Sequence, residues 1–239
     1  ANRLTLAGNV DISGTLNHSG GNDIYLTGST KTLSGTGTQT TANYMLEAGS
    51  NYNLTDDWSI NTLETWTGGA TLSVATTKTL TLAGTFYTRT NATITLTGSA
   101  NMTIGDNAWM AHEAGAVFNL NSGVLDLNGA NAHMCGGSGT FNANSGTINI
   151  SSANSTISGA FNEGTSTVNF DGSAQNVPAE TYYNLTISNS GTKTAGGNLD
   201  VNGDLTTAAT ASCKLDLGAY DLNVAGDLTV GATDGLDAS

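Results

Sequence analysis

The sequence predicts an all-β chain wound as a parallel β-helix (β-solenoid) of about eleven coils, with ~20–23 residues per coil. Three observations predict it. Apolar pairs recur between residues 80 and 170: Leu80/Leu82, Met102/Ile104, Leu125/Leu127, Ile148/Ile150 and Val168/Phe170, with first members advancing by 22, 23, 23 and 20 residues. A second ladder runs beside them, in which Phe118, Phe141 and Phe161 are each followed by Asn. Finally, Thr, Asn, Ser and 31 Gly fill the chain with a single Pro, and no stretch carries a 3.6-residue apolar stripe. An antiparallel sandwich would also show many short strands. Only a parallel coil makes each residue stack on its equivalent one period later.

The elements follow in order. Leu4-Thr5-Leu6, Val10-Asp11-Ile12 and Ile24-Tyr25-Leu26 alternate apolar and polar residues, the period of a strand with one buried face. Residues 42 to 69 break this rhythm with two Trp, two Tyr and a cluster of acid, and are expected to form irregular, loop-bearing coils. Regular strands resume at Leu72-Ser73-Val74, Leu80-Thr81-Leu82 and Ile94-Thr95-Leu96. Residues 106 to 115 (DNAWMAHEAG) interrupt them with a second irregular coil. FNLNSGVLDLNG (118 to 129), FNANSGTINISS (141 to 152) and FNEGTSTVNFDG (161 to 172) are the clearest units. Asn after each Phe is placed to bond its equivalents above and below, as Asn does in other stacked β-structures. After about residue 172 the step shortens near Pro178, and a differently shaped coil is expected. Leu185-Thr186-Ile187, Leu199-Asp200-Val201, Leu215-Asp216-Leu217, Leu222-Asn223-Val224 and Leu228-Thr229-Val230 complete a single domain over residues 1–239. Gly-Ser, Asn-Gly and Gly-Gly pairs between strands accept the positive φ of tight corners.

Composition excludes several functions. Only 10% of residues are charged, against ~25% in an ordinary soluble domain. Nineteen acidic and six basic residues leave a net charge of −13. With its Lys and Arg scattered, the chain lacks the basic patch that nucleic acid requires. No run approaches the ~18 apolar residues of a membrane helix, so membrane insertion is not expected. The opening Ala fits a mature chain cut after a small-residue signal site. Together with low Lys and abundant Thr and Asn, it suggests a secreted, extracellular or cell-surface protein. Cys135 and Cys213 lie about three and a half coils apart, roughly 17 Å along a stack of ~4.8 Å rungs. A disulfide needs Cα atoms within ~7 Å, so buried free thiols are expected.

NLTISNSGTKTAGGNLDVNGDLT (184 to 206) and LDLGAYDLNVAGDLTVG (215 to 231) resemble the β-strand repeats of large bacterial surface and adhesin-type proteins with parallel β-helix regions. The resemblance covers residues 118 to 231 well and the first hundred loosely. It implies an extracellular, non-enzymatic stalk, adhesin or fibre.

Polysaccharide-cleaving enzymes on such coils need paired carboxylates or a base with a cation. Asp56, Asp57, Glu64, Asp106 and Glu113 are available, but Arg and Lys are too few to build a clamp, and Asp56-Asp57 reads as a turn. His18, His112 and His133 are scattered, His133-Met134-Cys135 lacks any zinc spacing, and no CxxCH haem motif is present. Asp200-Val201-Asn202-Gly203-Asp204 groups oxygen ligands about a glycine without the spacing of an EF-hand, and Gly136-Gly137-Ser138-Gly139 lacks the Asp of a calcium-binding glycine repeat. A turn is expected there, with calcium the one cofactor left open. GTGTQT (35 to 40) has no phosphate-loop Lys. Thr-rich strands suggest ice binding, yet the outward residues of the ladder run Thr81, Thr103, Asp126, Asn149 and Asn169. Trp58, Trp66 and Trp109 are expected in the irregular coils, where they could stack on surface glycans or, equally, cover a core edge or a lateral interface.

The leading expectation concerns the ends. A solenoid presents open strand edges, which invite another chain to pair unless capped. Leu4, Thr5, Leu6, Val10 and Ile12 stand near one end, and Leu222, Val224, Leu228 and Val230 near the other. A head-to-tail contact through them would yield a homopolymeric filament. The competing expectation is an adhesin or carbohydrate-binding module that uses the Trp-bearing loops.

Overall fold

A computed structural model describes residues 4–16, 23–66, 68–135, 138–231 and 235–238, and the side chains of all of these but Thr40 and Thr41. Arg3, His18, Gly136 and Gly137 lie outside the described residues. Every strand pair is parallel, and no helix occurs among the described residues. The chain is a β-solenoid of about ten turns, as the period requires.

Each coil visits three faces in turn. The first face carries the long ladder: Thr79–Leu82, Asn101–Ile104, Val124–Leu127, Thr147–Ile150, Thr167–Phe170, Asn184–Ile187, Leu205–Thr207 and Leu228–Val230. Register is residue on residue: Leu80, Met102, Leu125, Ile148, Val168, Leu185, Leu205 and Leu228 form one inward column. The second face runs from Leu4–Leu6 and Ile24–Leu26 to Phe86–Tyr87, Ala108–Trp109, Asn131–Cys135 and Asn154–Ile157. The third holds Val10–Asp11, Lys31–Ser34, Asn51–Leu54, Thr71–Val74, Thr93–Leu96, Val117–Asn119, Thr140–Asn142 and Ala160–Asn162 in one 8-stranded sheet.

Residues 42 to 69 depart from the loop-bearing coil expected there. Gln39–Leu46 and Trp58–Thr65 are the longest strands, 8 residues each, and both bend around the corner between the first and second faces. Trp58 to Ile60 pair with Leu80 to Leu82 on the first face, while Leu63 and Glu64 pair with Phe86 and Tyr87 on the second. Their inward residues Tyr44, Leu46, Trp58, Ile60 and Leu63 are all buried. The missing alternation in the sequence is the bend itself: at the corner the pleat turns, and Asn61 and Thr62 both lie half-buried.

The coil changes shape where the step shortens. Thr147 pairs with Thr167 and Thr167 with Asn184 on an unbroken first face. The other two faces restart as separate sheets: Gln175–Val177, Gly191–Ala195, Cys213–Asp216 and Leu236–Asp237 on the second, and Thr181–Tyr182, Leu199–Val201 and Leu222–Val224 on the third. Between the new faces the Pro178 carbonyl accepts the buried Tyr182 hydroxyl at 2.8 Å.

Like stacks on like throughout. Phe118 and Phe141 lie ring over ring at 5.0 Å, and Phe161 follows at 5.8 Å. On the outer side of the same strands, Asn162 donates to Asn142 at 2.7 Å, Asn142 to Asn119 at 2.8 Å, and Asn119 to Thr95 at 3.1 Å. A second polar ladder links Asn169, Asn149 and Asp126, on the outward row that begins with Thr81 and Thr103. The corner after each Phe unit turns through Asn121, Asn144 and Gly164, all at φ between 53° and 57° or close to it. Asn and Gly are the residues that tolerate this left-handed conformation. Cys135 and Cys213 are buried and unbonded, as the axial spacing requires. Burial pushes the Cys135 thiol up, which keeps it protonated.

Candidate functional sites

Two places stand apart from the regular stack: the open ends and one corner of the second face. At the ends the apolar columns emerge into solvent. Leu205 is fully buried, whereas Leu228, stacked directly on it, is 49% exposed; Thr207 is buried beneath Val230, which is 44% exposed. At the opposite end Ile24 and Leu26 are buried beneath Leu4 and Leu6, with Leu4 36% exposed. Leu222 and Val224 cover the buried pair Leu199 and Val201, and Val10 covers Leu33. Among the described residues every one of these outermost strands pairs on one side only, which leaves a row of backbone N–H and C=O groups without a strand partner.

The corner is built by an outward row on consecutive rungs. Glu64, Tyr87, Trp109, His133 and Thr156 are successive register partners. The Trp109 indole lies almost parallel to the His133 ring, with centroids 5.7 Å apart, and Tyr87 packs against Trp109 and His112 at 5.8 and 5.0 Å. Arg89 is held between Glu64 at 3.2 Å and Glu113 at 3.5 Å, with its guanidinium 4.8 Å above the Tyr87 ring. Glu113 also accepts from the Thr90 backbone and hydroxyl at 2.9 and 2.7 Å. Burial alone would push its carboxyl up, but the Thr90 hydrogen bonds and the Arg89 charge outweigh that and hold it below the usual range. Burial, with His112 nearby, pushes the His133 imidazole down, so it is neutral at pH 7. Its Nδ1 meets the Thr156 hydroxyl at 2.5 Å. Two buried nitrogens of the cluster, Arg89 Nε and His112 Nδ1, have no hydrogen-bond partner among the described residues.

This geometry separates the three tryptophans. Trp58 is a core residue, 4% exposed, that begins a strand and donates its indole N–H to the Gly35 carbonyl at 3.1 Å. Trp109 also lies on a strand, with one ring face covered by His133. The expectation that all three sit in irregular coils is therefore corrected: the strands Trp58–Thr65 and Ala108–Trp109 carry two of them. Trp66, 48% exposed just beyond the strand Trp58–Thr65, has the most open ring.

Of the carboxylate candidates, Glu64 and Glu113 meet at Arg89, and Asp56 and Asp57 lie elsewhere. Asp56 accepts the Gly35 N–H at 2.9 Å and Asp57 the Thr79 N–H at 2.8 Å, so both cap corners, as a turn would. Glu113, held ionised by its partners, is a poor proton donor at neutral pH. In the segment considered for calcium, Asp200 accepts from Asn223 and Asp204 from the Asp227 N–H, which points the two carboxylates at different neighbours. Among the described residues, no three His, Cys, Asp or Glu side chains are grouped to hold a metal ion.

The sequence by itself does not single out Tyr87, Arg89, His112 and His133 as a cluster. A signal existed, since Glu64, Tyr87, Trp109, His133 and Thr156 advance by 23, 22, 24 and 23 residues, the period of the apolar ladder. No family model, curated protein or solved structure matches this chain.

Proposed function

We propose that this protein is a secreted, extracellular structural protein that stacks head to tail through its open ends into a filament. The observation that carries the reading is the exposure of Leu4, Leu228 and Val230 on top of fully buried columns. An apolar column that stops in water forgoes ~25 cal/mol for each Å² it could bury. One further coil at each end removes that cost and pairs the bare strand edges as well. A second copy supplies such a coil, and because the two end surfaces differ, the contact is heterologous and propagates. Low charge on the faces and internally satisfied Asn ladders leave the ends as the most adhesive surfaces. Negative-stain electron microscopy of the purified chain at neutral pH tests this: threads one solenoid wide are expected, and particles that stay ~50 Å long at every concentration refute it.

A second reading, lateral binding of a neutral surface glycan, is favoured by the open ring of Trp66, just beyond the strand that carries Glu64. Arg89 is already paired with two carboxylates, which disfavours an anionic ligand there. Loss of retention on insoluble polysaccharide in Trp66→Ala, relative to the parent chain, is its expected signature; equal retention, or none by either, refutes it.

A further inference from the structure

We infer that each copy in the stack is turned by one face relative to the last, so that Leu4–Leu6 lands on Leu222–Val224 and Val10–Asp11 on Leu228–Val230. The inference rests on the head-to-tail reading and adds to it the identity of the strands that meet.

The first argument is the ramp of the coil. The chain visits the first, second and third faces in a fixed order, climbing one rung of ~4.8 Å per circuit. Its outermost strands at one end are Leu222–Val224 on the third face, Leu228–Val230 on the first and Leu236–Asp237 on the second. For a copy stacked on this end, the next rung therefore lies over Leu222–Val224. At the other end the order begins with Leu4–Leu6 on the second face, followed by Val10–Asp11 on the third and the Thr15 bridge to Thr38 on the first. If each face met its own continuation, seating Val10–Asp11 on Leu222–Val224 would drive Leu4–Leu6 into the rung held by Leu236–Asp237. Raising the copy to clear that clash leaves a rung empty on the other two faces. Turning the copy by one face, about a third of a turn in a three-faced coil, fills every rung once.

The second argument is the sequence of the two ends. LTLAGNVDI (4 to 12) and LNVAGDLTV (222 to 230) are the same strand–corner–strand unit, and LDVNGDLTT (199 to 207) is the coil directly beneath the latter. At a constant offset, inward Leu4, Leu6, Val10 and Ile12 fall on inward Leu222, Val224, Leu228 and Val230. Outward Thr5 falls on Asn223, and Asp11 on Thr229. The same-face arrangement offers no such match, because Leu4–Leu6 would meet the two-residue strand Leu236–Asp237.

The third argument is the corner hydrogen bonding. Within the chain, Ala225 N–H donates to Val201 O at 2.8 Å, Gly226 N–H to Gly203 O at 2.9 Å, and Asp227 N–H to the Asp204 carboxylate at 2.9 Å. At the other end the same pattern runs upward, from Thr27 N–H to Leu6 O at 2.9 Å and from Thr32 N–H to the Asn9 side-chain carbonyl at 3.1 Å. Carried across the joint, it directs Ala7 N–H to Val224 O, Gly8 N–H to Gly226 O and Asn9 N–H to the Asp227 carboxylate of the next copy. The Ala-Gly-Asx corner is thus complementary to itself.

Paired cysteines test the phase. Equivalent Cα atoms on neighbouring rungs, ~4.8 Å apart, fall within the ~4.4–6.8 Å span of a disulfide, and the native Cys135 and Cys213 are buried. The two new thiols sit at opposite ends of one chain, so any bridge joins two copies. Oxidised filaments of Thr5→Cys/Asn223→Cys, and separately of Asp11→Cys/Thr229→Cys, should run as a ladder of multimers on a non-reducing gel. The same-face pair Thr5→Cys/Asp237→Cys should give monomer. Filaments that cross-link only through the same-face pair overturn the phase and leave the stacking standing. Filaments that cross-link through neither pair overturn the end contact in favour of lateral association. A chain that remains monomeric overturns both readings.

Discussion

Phe141→Ala is expected to destabilise the fold by about 3–5 kcal/mol, the range for removing a fully buried Phe. Phe141 is 0% exposed and lies between two rings, stacked on Phe118 at 5.0 Å and tilted against Phe161 at 5.8 Å. Each aromatic pair contributes ~0.5–1.5 kcal/mol beyond area burial, and both are lost together. Relaxation cannot close the gap, because the strands on either side are pinned in register by the Asn119–Asn142–Asn162 ladder. Phe161 makes the informative comparison: it is only partly buried, so Phe161→Ala should cost visibly less, about 2 kcal/mol by the same reasoning. Urea unfolding followed by far-ultraviolet circular dichroism measures both. Phe141→Asp, which buries an unpaired charge at the same point, should not yield folded protein. A cost below about 1 kcal/mol for Phe141→Ala, or equal costs at the two positions, would refute the continuous-column account of the core.

Thr5→Pro removes a backbone donor from an end strand and obstructs pairing; a folded monomer that shortens parent filaments when mixed in is expected by electron microscopy, and normal elongation contradicts the end contact. Asn142→Asp keeps the bond from Asn162 but sets a carboxylate against the Asn119 carbonyl that Asn142 now donates to, and should lower stability by about 1–2 kcal/mol in the same urea assay. Lys193 is wholly buried, and its ammonium donates to the carbonyls of Ser188, Asn189 and Ser190; Lys193→Met leaves those acceptors dry and should cost about 3 kcal/mol or more, so an unchanged melting temperature argues against the charge being used there. Burial raises the folded-state pKa of Tyr44, Tyr52 and Tyr182 above 10. Their contribution is therefore complete below pH 10 and is lost as pH rises through the folded values, while Lys193, whose pKa is lowered, acts the opposite way as a single group. Net loss of stability above pH 10, coincident with a rise in tyrosinate absorbance, is expected, and an alkaline melt with no tyrosinate signal contradicts the assignment.

Most of the stack was legible in the chain because a parallel coil turns a spatial relation into a numerical one. Residues that recur at one step must lie on one another, so Leu80, Met102, Leu125 and Ile148, the three Phe and the Asn beside them could be placed before any coordinates. Period-two alternation likewise separated inside from outside, and ~4.8 Å rungs separated Cys135 from Cys213. What only the tertiary structure decided lies at corners and ends. Gln39–Leu46 and Trp58–Thr65 bend from one face to the next, so their alternation breaks without the strand ending, and Trp58, which looks like a loop residue, is core. The grouping of Glu64, Arg89 and Glu113 depends on how two corners of different length fold back onto each other. Above all, the chain's period states that a coil follows another but not which face begins or finishes the ramp. That Leu4–Leu6 and Leu236–Asp237 both fall on the second face is a property of the wound chain alone.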